Sequence, residues 1–144
     1  MITTLTEVNP QQLDQIMAIW LASNLEAHDF VSESYWHHNF ALVKQLMPQA
    51  ELTVVQVGGE IVGFAGMQED YLAGIFIDAA YHHLGLGTQL LTHLQARHPV
   101  ITLNVFDQNL QAKQFYQRHG FHLVQKQFDE ELGVWDWTMA NSPA

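Results

Sequence analysis

The chain is 144 residues long, the size of one domain, and its 48% hydrophobic and 14% charged residues are enough to build a core and exclude intrinsic disorder. A formal net charge of −10 disfavours nucleic acid as a partner and favours a cationic substrate such as an amine, although acidity also serves solubility alone. With no cysteine, the sequence excludes disulfides, thiolate metal sites and an acyl-cysteine intermediate.

Residues 2–6 alternate weakly and read as an opening strand. Asn9-Pro10 then starts a helix, with Asn9 as its cap and Pro10 at its first position. Leu13, Ile16, Met17, Trp20, Leu21 and Leu25 form its apolar stripe. The segment HDFVSESYW breaks that pattern, and Ser32 or Ser34 caps a second helix that runs to about Leu46, before Pro48. Residues 52–57 and 60–67 flank Gly58-Gly59 and predict a hairpin. A third strand is expected over 71–77, followed by a glycine-containing loop over 82–88.

Leu86, Leu90, Leu91 and Leu94 share one helix face; Pro99 ends that helix, and a strand is expected over 100–105. Residues 109–119 predict a helix closed by Gly120. The last strands are expected over 121–127 and 134–139, with Trp135, Trp137 and Met139 turned to the core. The order β-α-α-β-β-β-α-β-α-β-β describes an α+β (mixed α/β) fold: one mixed sheet with helices on both faces and a right-handed crossover from Tyr71 to Val105. A single domain over 1–144 is expected, with no linker, no signal peptide and no transmembrane run, hence no membrane partner and a cytoplasmic location.

The most informative stretch is GIFIDAAYHHLGLGTQLLTHL. A strand enters a loop that opens a helix, where backbone N–H groups lack partners and the helix dipole adds positive charge. Gly85 and Gly87 leave that backbone open to a phosphate, or serve a tight packing turn. Neither the three-glycine dinucleotide fingerprint nor a P-loop lysine is present. The nine histidines lack metal-ligand spacing, so no metal is expected.

The second half contains NVFDQNLQAKQFYQRHGF, a strand joined to a helix with an aromatic pair and a Gly-Phe end. Together, His82-His83-Leu84-Gly85-Leu86-Gly87 and the Asn109, Phe115-Tyr116, Gly120-Phe121 series resemble the GNAT superfamily of acetyl-CoA-dependent N-acetyltransferases. The resemblance covers almost the whole chain in element order. The segment AIWLASNLEAHDFVSESY, with FID before the loop, looks like the YjaB-type bacterial branch.

The resemblance implies a central sheet of six to seven strands, splayed in the middle to admit the cofactor. It implies acetyl-CoA as co-substrate, with no metal, and direct transfer of the acetyl group to a primary amine of an unidentified acceptor, small molecule or protein. A catalytically silent acyl-CoA-binding regulatory module is the alternative, and a homodimer stays open. The pyrophosphate would rest on backbone N–H groups of His83, Leu84, Gly85, Leu86, Gly87 and Thr88, with His82 opening the motif. The pantetheine arm would pair with Ile75, Phe76 and Ile77 and touch Asn109, and Tyr116 would act as the general acid toward the departing thiolate.

The sequence departs from the family at three positions. His82 and His83 replace residues that are often Gln, Arg or Gly, so added charge toward a phosphate depends on protonation of the ring. Asn104 stands where some members carry a glutamate base; it can orient a water or bind the amine. Glu69, Asp70 or His28 could act as base through water. His28, Phe30 and Glu69 are the acceptor-side candidates, with a loop histidine over a phenylalanine core plug as the plainer reading of the first two.

Overall fold

The computed structural model describes residues 1–142. Strand β1 (Ile2–Thr4) leads into helix α1 (Pro10–Ala27). Asn9 caps α1 through a full capping box: its side chain accepts from the Gln12 amide, and the Gln12 side chain accepts from the Asn9 amide. Helix α2 (Glu33–Leu46) follows. Its Ser32 cap position makes no side-chain cap bond, because the Ser32 and Ser34 hydroxyls bond each other instead. Pro48 lies in a single 3-10 turn, Met47–Gln49, that ends this helical segment.

Strands β2 (Glu51–Val57) and β3 (Glu60–Gln68) form the hairpin across Gly58 and Gly59, both at positive φ as the two-residue turn requires. Strand β4 (Tyr71–Ile77), helix α3 (Leu86–Arg97) and strand β5 (Thr102–Phe106) make the crossover unit, and β4 and β5 pair in parallel. Helix α4 (Leu110–Arg118) ends against Gly120 at φ +91°, and β6 (His122–Asp129) and β7 (Val134–Ala140) complete the chain.

All seven strands join one mixed sheet in the order β1-β2-β3-β4-β5-β7-β6. Side-chain alternation sends its residues to two cores. On one face Ile16, Met17, Trp20 and Trp36 of α1 and α2 pack on Leu52, Val54 and Phe64. On the other, Leu90, Leu91 and Leu94 of α3 and Tyr116 of α4 pack on Met67, Leu72, Leu103 and Met139. Among the described residues no helix is long and apolar enough to cross a membrane.

The centre of the sheet is split. β4 and β5 pair only at Tyr71↔Thr102 and Leu72↔Leu103. Just beyond, the β3–β4 register jumps from Met67↔Leu72 to Gly66↔Gly74, which leaves Ala73 as an extra residue in β4. Such a bulge bends and twists its strand. From Ala73 to Ile77, β4 therefore follows β3 and leaves β5, while β5 stays paired to β7 out to Phe106↔Asp136.

Three expectations need correction. Trp135 is 48% exposed and packs on Phe128, with the Lys126 ammonium over its ring, because it lies beyond the part of the sheet the helices cover. The strand expected over 100–105 begins at Thr102, and Val100 is exposed. The loop expected over 82–88 already turns helical at Leu86.

Candidate active site

A cleft of about 370 Å³ opens where β4 and β5 diverge. Ala73 to Phe76 form one wall and Asn104 to Phe106 the other; α4 contributes Tyr116 and the C-cap of α1 contributes His28.

The loop after β4 is shaped by backbone conformation. His83 and Gly85 both have positive φ, +65° and +78°. For histidine this is an uncommon, strained state, of the kind that concentrates at functional sites. Gly85 is the N-cap of α3, and no side chain caps that helix. The first-turn N–H groups of Leu86, Gly87 and Thr88 thus face outward without an intrahelical acceptor, at the positive end of the helix dipole. Nothing lies within 4 Å of a Cβ built on Gly85, so the space above it is open. These features suit a pyrophosphate: donors, partial positive charge and no steric screen.

Around the loop, His82 turns back and its Nε2–H donates to the Ile77 carbonyl at 2.9 Å. Leu84 is exposed. His119 Nδ1–H donates to the Phe115 carbonyl at 2.7 Å, and its Nε2 bonds the Thr88 hydroxyl at 3.1 Å. A Cβ on Gly87 would meet the Phe115 ring at 3.4 Å, so α4 leans directly on the start of α3.

Tyr116 is 6% exposed and lines the cleft. Burial, and secondarily the charge of a Tyr71 phenolate, push its phenol above the usual range. The hydroxyl therefore keeps its proton at neutral pH and is equipped to donate it to an anion forming beside it.

The Asn104 amide bonds three neighbours. Its oxygen accepts from the Tyr71 hydroxyl at 2.9 Å, and its nitrogen donates to Asp136 at 3.3 Å and Thr138 at 3.2 Å. One lone pair of its oxygen stays open to a water or an amine, while its nitrogen braces Asp136, which also accepts from Gln127. Asp136 and Asp129 are the carboxylates on the cleft wall, and neither was singled out from the sequence. The signal for Asp136 was its alternation opposite Trp135 and Trp137 on β7. Asp129 is committed to the β6–β7 turn, accepting from the Leu132 amide at 3.0 Å. At the cleft mouth, burial and then the charges of Glu131 and Asp129 push the Tyr35 phenol up.

His28 sits on the cleft wall, stacked on Trp36 and edge-on to Phe106. Burial lowers its pKa to about 4, so it is neutral. Phe30 packs behind it, against His28 and Phe106, and does not line the cleft. Glu69 is not brought there either: it occupies the β3–β4 turn at φ +55°, at the paired end of the β4–β5 seam. Asp70, in the same turn, bonds His98. The cleft thus gathers His28, Ile75, Phe76, Asn104, Asn109 and Tyr116, with Ile77 and residues 82–88 continuing from the end of β4. Among the described residues no cluster of His, Asp and Glu could hold a metal ion.

The profile of the acetyltransferase (GNAT) domain family matches residues 9–142. The chain belongs to the GNAT family. It is 31% identical over 136 residues to the peptidyl-lysine N-acetyltransferase YiaC of Escherichia coli, covering 93% of each chain. It is 34% identical over 121 residues to the peptidyl-lysine N-acetyltransferase YjaB of Salmonella typhimurium, covering 83% of each. The solution structure of apo YjaB from Escherichia coli superposes with a TM-score of 0.84 at 28% identity, over 100% of this chain and 99% of that one. This GNAT protein is thus an N-acetyltransferase of the YjaB type, and the family's co-substrate is acetyl-CoA.

Proposed function

We propose that this enzyme acetylates the side-chain amine of lysine in a protein, with residues 83–88 holding the cofactor pyrophosphate and Tyr116 acting as general acid. The observation that carries the reading is the cleft itself: its inner wall holds a buried, protonated phenol, and its mouth is acidic and aromatic. A lysine side chain suits such a cleft: its cationic tip is drawn to the carboxylates and its apolar stem packs on the aromatic lining. The names of YiaC and YjaB as peptidyl-lysine N-acetyltransferases support the same acceptor.

Acetyl-CoA supplies an activated acyl carbon and a leaving thiolate. Along β4, the unpaired edge from Ala73 to Ile77 offers main-chain groups to the pantetheine arm, as a neighbouring strand would. Asp136 receives the incoming ammonium and, through water, the proton that it must lose before nitrogen can attack. Nitrogen then bonds to the acyl carbon, the carbon–sulfur bond breaks, and the nitrogen sheds its second proton to water to become the amide. Tyr116 gives its proton to the departing sulfur and regains one from solvent.

The test is thiol release from acetyl-CoA with lysine-containing peptides beside a panel of small amines. Turnover on peptides that falls by about 10²-fold in Tyr116→Phe, with the melting temperature unchanged, is the expected result. Turnover on small amines alone would replace the acceptor. Coenzyme A binding with no turnover on either panel would mark a regulatory acyl-CoA-binding module.

A further inference from the structure

A chain of hydrogen bonds crosses the cleft wall from α1 to α4, and its chemistry fixes each member in turn. The Asn24 side chain is 4% exposed, and its Nδ2 donates to the Trp20 carbonyl at 2.9 Å. Its Oδ1 is therefore the atom that meets His28 Nδ1 at 3.0 Å, and this oxygen can only accept, so Nδ1 carries a proton. At the far end, Asn109 Oδ1 accepts from the Ala112 amide at 3.1 Å as the cap of α4. Its Nδ2 therefore points to His28 Nε2 at 3.1 Å, and Nε2 must accept. One tautomer, neutral with the proton on Nδ1, satisfies both neighbours. The ring is clamped between Trp36, Phe30 and Phe106, so it cannot flip without disturbing three aromatic contacts.

This arrangement leaves His28 no lone pair for substrate, which argues against a base or an acceptor ligand. What it holds is the first residue of the segment that carries Tyr116. Helix α4 is only nine residues long; its other anchors include Lys113 on Asp107 at 3.0 Å, the bond of His119 to Thr88, the core packing of Tyr116 and the contact of Phe115 with Gly87 at the cofactor loop. A shift at Asn109 is therefore felt at both the phenol and the start of α3.

We propose that His28 is a positioning residue of the acetyl transfer: as the Nδ1–H tautomer set by Asn24, it holds the Asn109 amide and so seats α4, with Tyr116, against the cofactor side of the cleft. The proposal rests on Tyr116 and Asn109 serving the reaction as described above. It also carries a pH dependence. Protonation of Nε2 would set N–H against N–H across the Asn109 contact and release the cap. The other titratable groups facing this cleft are Tyr35 on α2, Tyr116 on α4, Asp129 on β6 and Asp136 on β7. None of them bonds the ring, and burial alone keeps its proton off until about pH 4.

The experiment compares His28→Phe, His28→Gln, Asn109→Ala and the His28→Phe/Asn109→Ala double variant. Coenzyme A affinity by calorimetry and kcat with a lysine peptide are measured from pH 8 to about pH 4, near the histidine's own titration. His28→Phe should weaken coenzyme A binding about tenfold and lower kcat, the equivalent of one lost hydrogen bond. His28→Gln, whose Oε1 can accept where Nε2 did, should recover affinity to within about threefold and flatten the acid side of the binding profile. The double variant should be no worse than the worse single one, because both remove one contact. The proposal is overturned if His28→Phe leaves coenzyme A affinity intact and raises only the KM for peptide. It is equally overturned if glutamine fails to rescue, or if the two substitutions add. Because coenzyme A binding is read separately from turnover, loss of the transfer reading itself would show as normal binding and rescue without any acetylated product.

Discussion

The two ends of the β4–β5 seam each hold a histidine, and the two are in opposite states. At the closed end, where Tyr71 pairs with Thr102, His98 lies between Glu51 Oε2 at 2.9 Å and Asp70 Oδ1 at 3.0 Å. Both neighbours only accept, so both ring nitrogens carry protons, and the hydrogen bonds from Glu51 and Asp70 hold its pKa above the usual value. At the open end, His28 lies between two amides, and burial holds its pKa down to about 4. The same side chain thus joins three chain segments as a cation at one end and orients a helix cap as a neutral ring at the other. Charge at the closed end favours the fold at a wet surface; the absence of charge at the open end keeps a cleft wall in one arrangement.

Helix α3 runs between the two ends, from Gly85 to His98, and disturbing it should give the largest effect. Leu91→Ala removes a fully buried side chain shared by both halves, and a loss of about 2–5 kcal/mol in denaturant unfolding is expected. If this loss came with no change at either histidine, the two ends would be energetically separate. The pH dependence of stability sharpens the contrast further. The unfolded chain protonates His28 near pH 6.5 and the folded one near pH 4. Stability should therefore fall by about 2 kcal/mol as pH drops through that window, with solvent on the cleft side allowed for. His28→Gln should remove this fall in a melting series.

Next in size, Gly85→Ala at the open end forces a side chain into φ +78° at a cost of about 1–2 kcal/mol. The same variant should raise the KM for acetyl-CoA while sparing the KM for peptide. The smallest effect belongs to His98. Its folded pKa is raised, so its contribution is complete below pH 6.5 and is lost as pH climbs through the folded value. On a surface open to solvent this is worth about 0.5–1 kcal/mol. His98→Gln should flatten the alkaline side of the melting series and leave the acid side as it was.

Local punctuation made most of the fold legible. Asn9-Pro10, Gly58-Gly59 and Gly120 each impose a backbone state that marks an element boundary, and the leucines of α3 declare their face by spacing. The loop at residues 82–88 was readable for the same reason, since glycine before a helix has few purposes. What could not be read depends on register. The bulge at Ala73 arises from pairing with β3, and nothing in the local composition announces it. Without it, nothing indicates that the face carrying Asp136 lines a cleft, or that Asn104 bonds neighbours on both β4 and β7. The His28–Asn109 bond spans 81 residues and belongs to tertiary structure alone. Trp135 misled because alternation identifies a face of a strand, and says nothing about where the covering helices stop.

In the strand ladder of the described residues, two residue pairs sew the four-strand leaf, β1 to β4, to the three-strand leaf, β5 to β7. A sheet stitched at one end resembles a book rather than a plate, with its spine at Tyr71 and Leu72. A molecule lying along Ala73 to Ile77 then becomes a bookmark bonded to one page and pressed by the other, and backbone amides on that margin are where solvent exchange should slow first when it is in place.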